Sequence, residues 1–238
     1  LNLPFWIGAA IVALVAVLYA KGFAYCEDWA LSRGATPLVM MTAPLGIIVS
    51  FLLGHFISKE SMGSGIPQII ASVEVKEDES PLLKKLLGIK MIFIKMLGSC
   101  ACVFGGGSTG REGPTLQVSA AIFYQLSRLW PQKLPKPSQN LMILAGGAGG
   151  LAAAFNTPLG GVVFAIEELA KVHIQHVRTS IFQAVIISGL ISQILVGNYL
   201  YLGTSTLDSH SSVLIYQTLI LAIIIGFIGA FFAESLFR

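Results

Sequence analysis

The sequence predicts an all-α fold: a polytopic membrane protein built from broken and tilted helices. Three observations lead to this class, namely a shortage of charge, several long apolar segments, and repeated glycine and proline interruptions in the middle third of the chain. Of the 238 residues, 55% are apolar and 11% are charged, and the mean hydropathy is +0.78. An average soluble domain is about 25% charged, so this composition excludes an ordinary soluble enzyme. The net charge of +3 is too small and too scattered for a nucleic-acid surface, and no nucleic-acid partner is expected.

The first two membrane helices are predicted over residues 4–20 and 37–57. Neither segment contains Asp, Glu, Lys or Arg, and each approaches the roughly 20 residues that cross a hydrocarbon core about 30 Å thick. Residues 58–90 follow and carry a large share of the charged side chains. This polar stretch is expected at the membrane surface rather than in the hydrocarbon core.

The middle third of the chain is expected to contain broken helices. Short apolar runs at 91–104 and 115–130 flank a glycine-rich segment at 105–114. Lipid cannot satisfy free peptide groups, so a break at membrane depth is tolerated only where it is buried in protein or lines a wet cavity. The break therefore marks a candidate ion pathway.

The last third is expected to return to regular membrane helices. A surface linker at 130–137 precedes residues 141–169, whose many glycines and alanines let helices approach closely. Residues 179–233 contain one formal charge, within a turn at 203–210, and predict two spans around that turn. From the segment lengths, roughly seven to nine helices are expected in total.

Gly-Ser-Gly-Ile-Pro at 63–67 is the first candidate site. Glycine frees the backbone, proline fits the first helical turn, and the unpaired N–H groups of that turn carry a partial charge of about +0.5. With the hydroxyl of Ser64 beside it, this helix start predicts a small anion site. The alternative is that the glycines and the proline only mark an ordinary helix start and bind no anion.

The glycine-rich segment at 105–114 is the second candidate site. It contains a G-x-G-x-x-G pattern, but no βαβ unit surrounds it, and Arg111 stands where a phosphate loop has lysine. Nucleotide binding is therefore disfavoured. A helix beginning near Pro114 would place Arg111 and Glu112 at membrane depth, where a charge costs about 2.5–3.5 kcal/mol and usually lines an ion path. A structural Arg111–Glu112 pair is the alternative.

Other ionisable residues are weaker candidates. The adjacent carboxylates Glu167 and Glu168 would point about 100° apart on a helix, so one can face solvent while the other accepts protons inside the protein; a solvated helix end is the alternative. Lys95 lies in an apolar run, and its charge is expected at membrane depth. The alternative is that the side chain snorkels to the membrane surface. His173 and His176 could form a metal pair, but an interfacial helix with polar residues explains them, and no metal site is expected.

Taken together, the motifs resemble those of the CLC family of chloride channels and proton-coupled chloride transporters. The matching segments, in order, are Gly-Ser-Gly-Ile-Pro at 63–67, Gly-Arg-Glu-Gly-Pro at 110–114, Gly-Leu-Ala-Ala-Ala-Phe-Asn-Thr-Pro at 150–158 and Phe-Ala-Ile-Glu-Glu-Leu at 164–169. The resemblance covers nearly the whole chain.

The resemblance implies a multi-pass homodimer in the plasma membrane or a bacterial inner membrane. Each subunit would have its own anion pathway, formed by two inverted halves of broken helices. Residues 1–238 would be the N-terminal half of a CLC-type transmembrane domain. The second half, with its own G-x-F-x-P motif and a coordinating tyrosine, is expected to be absent from this chain, so this segment alone should not transport.

The resemblance also implies roles for individual residues. Ser64 would coordinate the anion, Glu112 would be both gate and proton carrier, and Glu168 would be the internal proton-transfer residue. Lys95 would support the anion electrostatically. The anion-binding residues implied by the motifs are Ser64, Gly65, Ile66, Arg111, Glu112 and Gly113.

The function expected from the resemblance is antiport of chloride and protons across a lipid bilayer, with no cofactor other than the transported chloride and no enzymatic activity. A passive voltage- or proton-gated chloride channel of the same fold is the alternative. A more remote alternative is a membrane-embedded, metal-dependent enzyme that uses Glu112, Glu167 and Glu168 with His173 or His176.

Overall fold

A computed structural model describes residues 2–34, 37–75, 80–164, 166–167, 179–197 and 212–236. These residues form ten α-helices, a π-helical turn (Leu53–Ile57) and a 3₁₀ turn (Lys59–Ser61), and they contain no strand. The α-helices are α1 (Leu3–Leu31), α2 (Pro37–Leu52), α3 (Ile66–Glu74), α4 (Ser80–Leu86), α5 (Ile89–Phe104), α6 (Glu112–Leu129), α7 (Gln139–Phe155), α8 (Pro158–Phe164), α9 (Thr179–Val196) and α10 (Ser212–Leu236). The all-α prediction is confirmed.

The described helices outnumber the seven to nine expected, because the polar stretch at 58–90 contains two short ones. Helix α3 has nine residues and α4 has seven. Both are too short to span a bilayer, which needs about 20 residues, so a search for long apolar segments passes over them. They matter here because α3 begins at Ile66, two residues after Ser64.

Two predicted helices are shifted at one end. Helix α1 continues past residue 20 to Leu31, since Lys21, Glu27 and Asp28 occupy exposed positions that leave its backbone bonding intact. Helix α6 begins at Glu112 rather than near Pro114. The first turn of a helix needs no internal partner for its N–H groups, so Pro114 is tolerated there.

Helices α6 and α7 supply the largest buried side chains of a core to which α1, α3, α5 and α9 also contribute. Phe123, Tyr124, Met142 and Ile143 are almost fully buried there. A Cβ added at Gly146 would lie 2.6 Å from the Ser119 carbonyl oxygen of α6, so the small residues of α7 do allow close helix approach, as predicted.

The chain divides into two compact units, Leu1–Tyr201 and Leu202–Arg238. The described part of the second unit is α10. Among the described residues, four helical segments are long and apolar enough to cross a membrane. They are Leu3–Leu31, Pro81–Phe104, Thr179–Val196 and Ile215–Leu236. The turn expected at 203–210 lies outside the described residues.

Candidate functional site

The starts of α3 and α6 are in backbone contact. Gly65, the residue before α3, has φ +106°, and a Cβ there would lie 2.8 Å from the carbonyl oxygen of Gly113. A Cβ at Gly113 would in turn collide with the carbonyl oxygen of Ser64. Only glycine at both positions permits this approach. Two helix N-termini, each with a partial positive charge, therefore converge beside Ser64.

Ser64 lies at the opening of this contact. Its side chain is exposed, and its Oγ accepts a hydrogen bond of 3.3 Å from the backbone N–H of Ile66. That N–H belongs to the first turn of α3, where donors have no partner within the helix. Because the Ser64 hydroxyl acts as the acceptor in this bond, its own proton is free to donate to a ligand.

The segment leading to Ser64, residues 60–63 (the carbonyl turn), has side-chain donors on all four of its backbone carbonyls. The donors come from three helices. The bonds run from Gln117 Nε2 to Glu60 O (3.0 Å), from Lys95 Nζ to Ser61 O (2.9 Å) and Gly63 O (2.6 Å), and from Gln68 Nε2 to Met62 O (2.7 Å). Carbonyl oxygens repel an anion, so bonding them to protein donors leaves the N–H side of this segment as the favourable one.

Lys95 reaches the carbonyl turn from α5. It is 4% exposed, so the alternative in which it snorkels to the surface is wrong. The lysine also lines a cavity of about 280 Å³, together with Ser61, Gly63, Ser99, Thr109 and Pro114. Its positive charge is thus buried close to the contact between the two helix starts.

Arg111 and Glu112 lie at the start of α6. Arg111 Nη1 donates to the carbonyl oxygen of Ala20 on α1 (3.3 Å), and with Lys21 it lines a second cavity of about 270 Å³. The Glu112 carboxylate lies over Gly110, where a Cβ would collide with it. Glu112 is half-buried and remains beside the helix contact.

The structure therefore brings Ser64, Gly65, Ile66, Glu112 and Gly113 together around two helix starts. Lys95 holds the segment before them, and the Arg111 side chain points away toward α1. Within the described ranges, no group of three His, Cys, Asp or Glu residues could hold a metal ion.

The carboxylate pair is described only in part. Glu167 is exposed. Glu168, His173 and His176 lie outside the described residues.

The sequence reasoning missed Gln117 and Gln68. Both are uncharged amides in helical segments that are otherwise largely apolar, and this contrast is the signal that could have identified them. Each donates to a backbone carbonyl of the carbonyl turn.

Comparison with known proteins identifies the family. The sequence profile of the voltage gated chloride channel family matches residues 45–238. A curated relative, the H(+)/Cl(-) exchange transporter ClcA of Citrobacter koseri, is 28% identical over 246 aligned residues, which cover 97% of this chain and 50% of the relative. The chain thus spans about half the length of that relative.

Solved structures share the fold. A slow cyanobacterial Cl-/H+ antiporter matches with a TM-score of 0.77 and 23% identity, over 99% of this chain and 56% of the antiporter. A eukaryotic CLC transporter matches with a TM-score of 0.64 and 24% identity, over 87% of this chain and 39% of the transporter. The match to the family profile over most of the chain, together with four apolar helices long enough to span a bilayer, places this integral membrane protein in the voltage gated chloride channel (CLC) family.

Proposed function

We propose that the full-length protein exchanges chloride for protons across a membrane, and that residues 1–238 supply the N-terminal half of its transmembrane domain. The observation that carries this proposal is the backbone contact between the α3 and α6 starts. Through Gly65 and Gly113, it brings the Ser64 and Glu112 ends of the two helices together. A site for an anion and a site for a proton are therefore neighbours.

The anion is bound by dipoles rather than by a full counter-charge. The first-turn N–H groups of α3 and α6 and the Ser64 hydroxyl replace part of the hydration shell of chloride, with Gly65, Ile66, Arg111 and Gly113 contributing backbone to the two helix starts. Such a partial field lets the ion bind and still leave. The buried charge of Lys95 adds a longer-range attraction.

Glu112 is the gate in this proposal. Its ionised carboxylate is attracted by the same helix starts as chloride and competes with it for the site. After protonation the carboxyl loses this attraction and moves aside, so the arrival of a proton permits anion movement. Glu168 is proposed as the internal proton station on the basis of its place in the family motif.

The remaining parts of the pathway come from outside this chain. We propose that the second half of the domain closes the exposed side of Ser64, and that two complete subunits form a homodimer in the plasma membrane or a bacterial inner membrane. The curated relative named as an H(+)/Cl(-) exchange transporter is about twice as long as this chain, which supports a proposal made for the full-length protein.

The test uses the full-length protein in liposomes with an imposed chloride gradient and a pH-sensitive dye. Antiport predicts that chloride efflux drives proton uptake against a proton gradient. Chloride flux with no proton movement would assign a passive channel instead. The absence of chloride flux, in protein whose folding is verified by its elution profile, would refute the proposed function altogether.

A further inference from the structure

Gln117 occupies an unusual place in α6. It is fully buried, and it lies on the helix that begins at Glu112. Its Nε2 donates to two carbonyls from separate segments, that of Glu60 in the carbonyl turn (3.0 Å) and that of Leu86 at the end of α4 (3.3 Å). One amide group therefore joins three parts of the chain.

The same side chain also contacts the start of α3. A Cβ added at Gly65 would lie 2.9 Å from Gln117 Cβ and 3.1 Å from Gln117 Oε1. That oxygen is buried and accepts no hydrogen bond from the residues that the structure describes. The two donor bonds determine this orientation, since the reversed amide would bring Oε1 against the carbonyls of Glu60 and Leu86.

We propose that Gln117 is a positioning residue for the anion site: it sets the distance between the carbonyl turn, which leads to Ser64, and the start of α6 at Glu112. This inference rests on the proposed function. Lys95 and Gln68 hold the carbonyl turn from α5 and α3. Of these three side-chain donors, only Gln117 belongs to the helix that carries Glu112.

Loss of the Gln117 donor would release the carbonyl turn from α6 while leaving its bonds to α5 and α3 intact. The Ser64 segment would then move relative to the Glu112 end of α6, and the two helix starts would no longer converge as closely. The dipole field at one point between them would weaken, because charge–dipole attraction falls steeply with distance. The change should therefore weaken chloride binding more than it lowers the stability of the fold.

Gln125 provides a matched control on the same helix. Its Nε2 donates to the carbonyl of Leu87 (2.8 Å), the residue next to the Gln117 acceptor Leu86. Gln125 lies about two turns further along α6, away from the start at Glu112. A Gln125→Met change removes a comparable bond to the same connection between α4 and α5 without touching Gly65.

The experiment compares Gln117→Met with Gln125→Met in the full-length protein. The chloride Kd is measured by calorimetry, and the maximal chloride turnover is measured in liposomes. Thermal stability is measured by unfolding the protein in detergent. We expect Gln117→Met to raise the chloride Kd by about tenfold, equivalent to about 1.4 kcal/mol. Gln125→Met should lower the thermal stability about as much as Gln117→Met does. It should leave the chloride Kd within about twofold of the wild-type value.

If the wild type binds chloride and Gln117→Met has the same chloride Kd, this inference is overturned and the proposed function stands. If the wild type itself bound no chloride, both would be overturned. Should Gln117→Met not fold, Gln117→Asn keeps the amide and shortens its reach. An increase in the chloride Kd of this variant supports the positioning role, and an unchanged value contradicts it.

Discussion

Lys95 donates its shorter hydrogen bond, 2.6 Å, to the carbonyl oxygen of Gly63, the residue immediately before Ser64. A buried ammonium group on α5 thereby holds the segment that presents the proposed anion ligand. The lysine thus has a direct geometric role in addition to its charge. An equal charge placed elsewhere near the site would not hold the Gly63 carbonyl.

Replacing Lys95 with methionine should lower both stability and chloride affinity. The change removes the donor from two carbonyls, those of Ser61 and Gly63, and leaving the buried Ser61 acceptor unsatisfied costs about 1–3 kcal/mol. Thermal unfolding and calorimetric chloride titration of the full-length protein measure the two effects. Lys90→Met, at an exposed position of the same helix, is the control. Equal behaviour of the two variants would contradict the assigned role of Lys95.

Alanine at Gly65 should disturb the contact between the two helix starts. A left-handed residue other than glycine costs about 1–2 kcal/mol, and the added Cβ would lie 2.8 Å from the Gly113 carbonyl oxygen. We expect a lower unfolding temperature and weaker chloride binding. Gly22→Ala is the control, because that glycine is helical and a Cβ there has open space around it. If Gly65→Ala bound chloride normally, the close approach would not be needed for the site.

The packing of α7 offers a matched pair of glycines. At Gly146 a Cβ would lie 2.6 Å from the Ser119 carbonyl oxygen, whereas at Gly149 it would lie 3.4 Å from Ser188 Cβ, an ordinary contact. Overpacking of this kind costs about 1–3 kcal/mol. Gly146→Ala should therefore unfold at a lower temperature than the wild type, and Gly149→Ala should unfold near it. If Gly149→Ala unfolded at a lower temperature than Gly146→Ala, the close contact between α6 and α7 at Gly146 would not limit the size of the residue there.

Much of the fold was predictable because membrane helices leave a long apolar signal. The segment predicted at 37–57 is α2 followed by the π-helical turn that ends at Ile57. The start of α3 was predicted from the motif at 63–67, but α4 was not predicted, since a helix of seven residues has too few apolar positions to stand out. Helix ends were the least predictable feature, as the extension of α1 to Leu31 illustrates.

The site was predictable only as far as motifs reach. The glycine motifs located Ser64 and Glu112, but the bond from Lys95 joins residues 32 positions apart, and no local pattern indicates it. The snorkelling alternative for Lys95 failed because distant carbonyls supply its partners. Likewise, the contact of Arg111 with Ala20 depends on where α1 packs, which the loop sequence does not contain.

Removing the Glu112 carboxylate should separate chloride movement from proton movement. In Glu112→Ala the competing side chain is absent, and in Glu112→Gln it keeps its shape but neither ionises nor carries a proton. Both variants of the full-length protein should therefore pass chloride in liposomes without proton uptake. Glu74→Ala, at an exposed position at the end of α3, should retain coupling. Proton uptake that persists in Glu112→Ala would show that another group carries the proton and that Glu112 is not the gate.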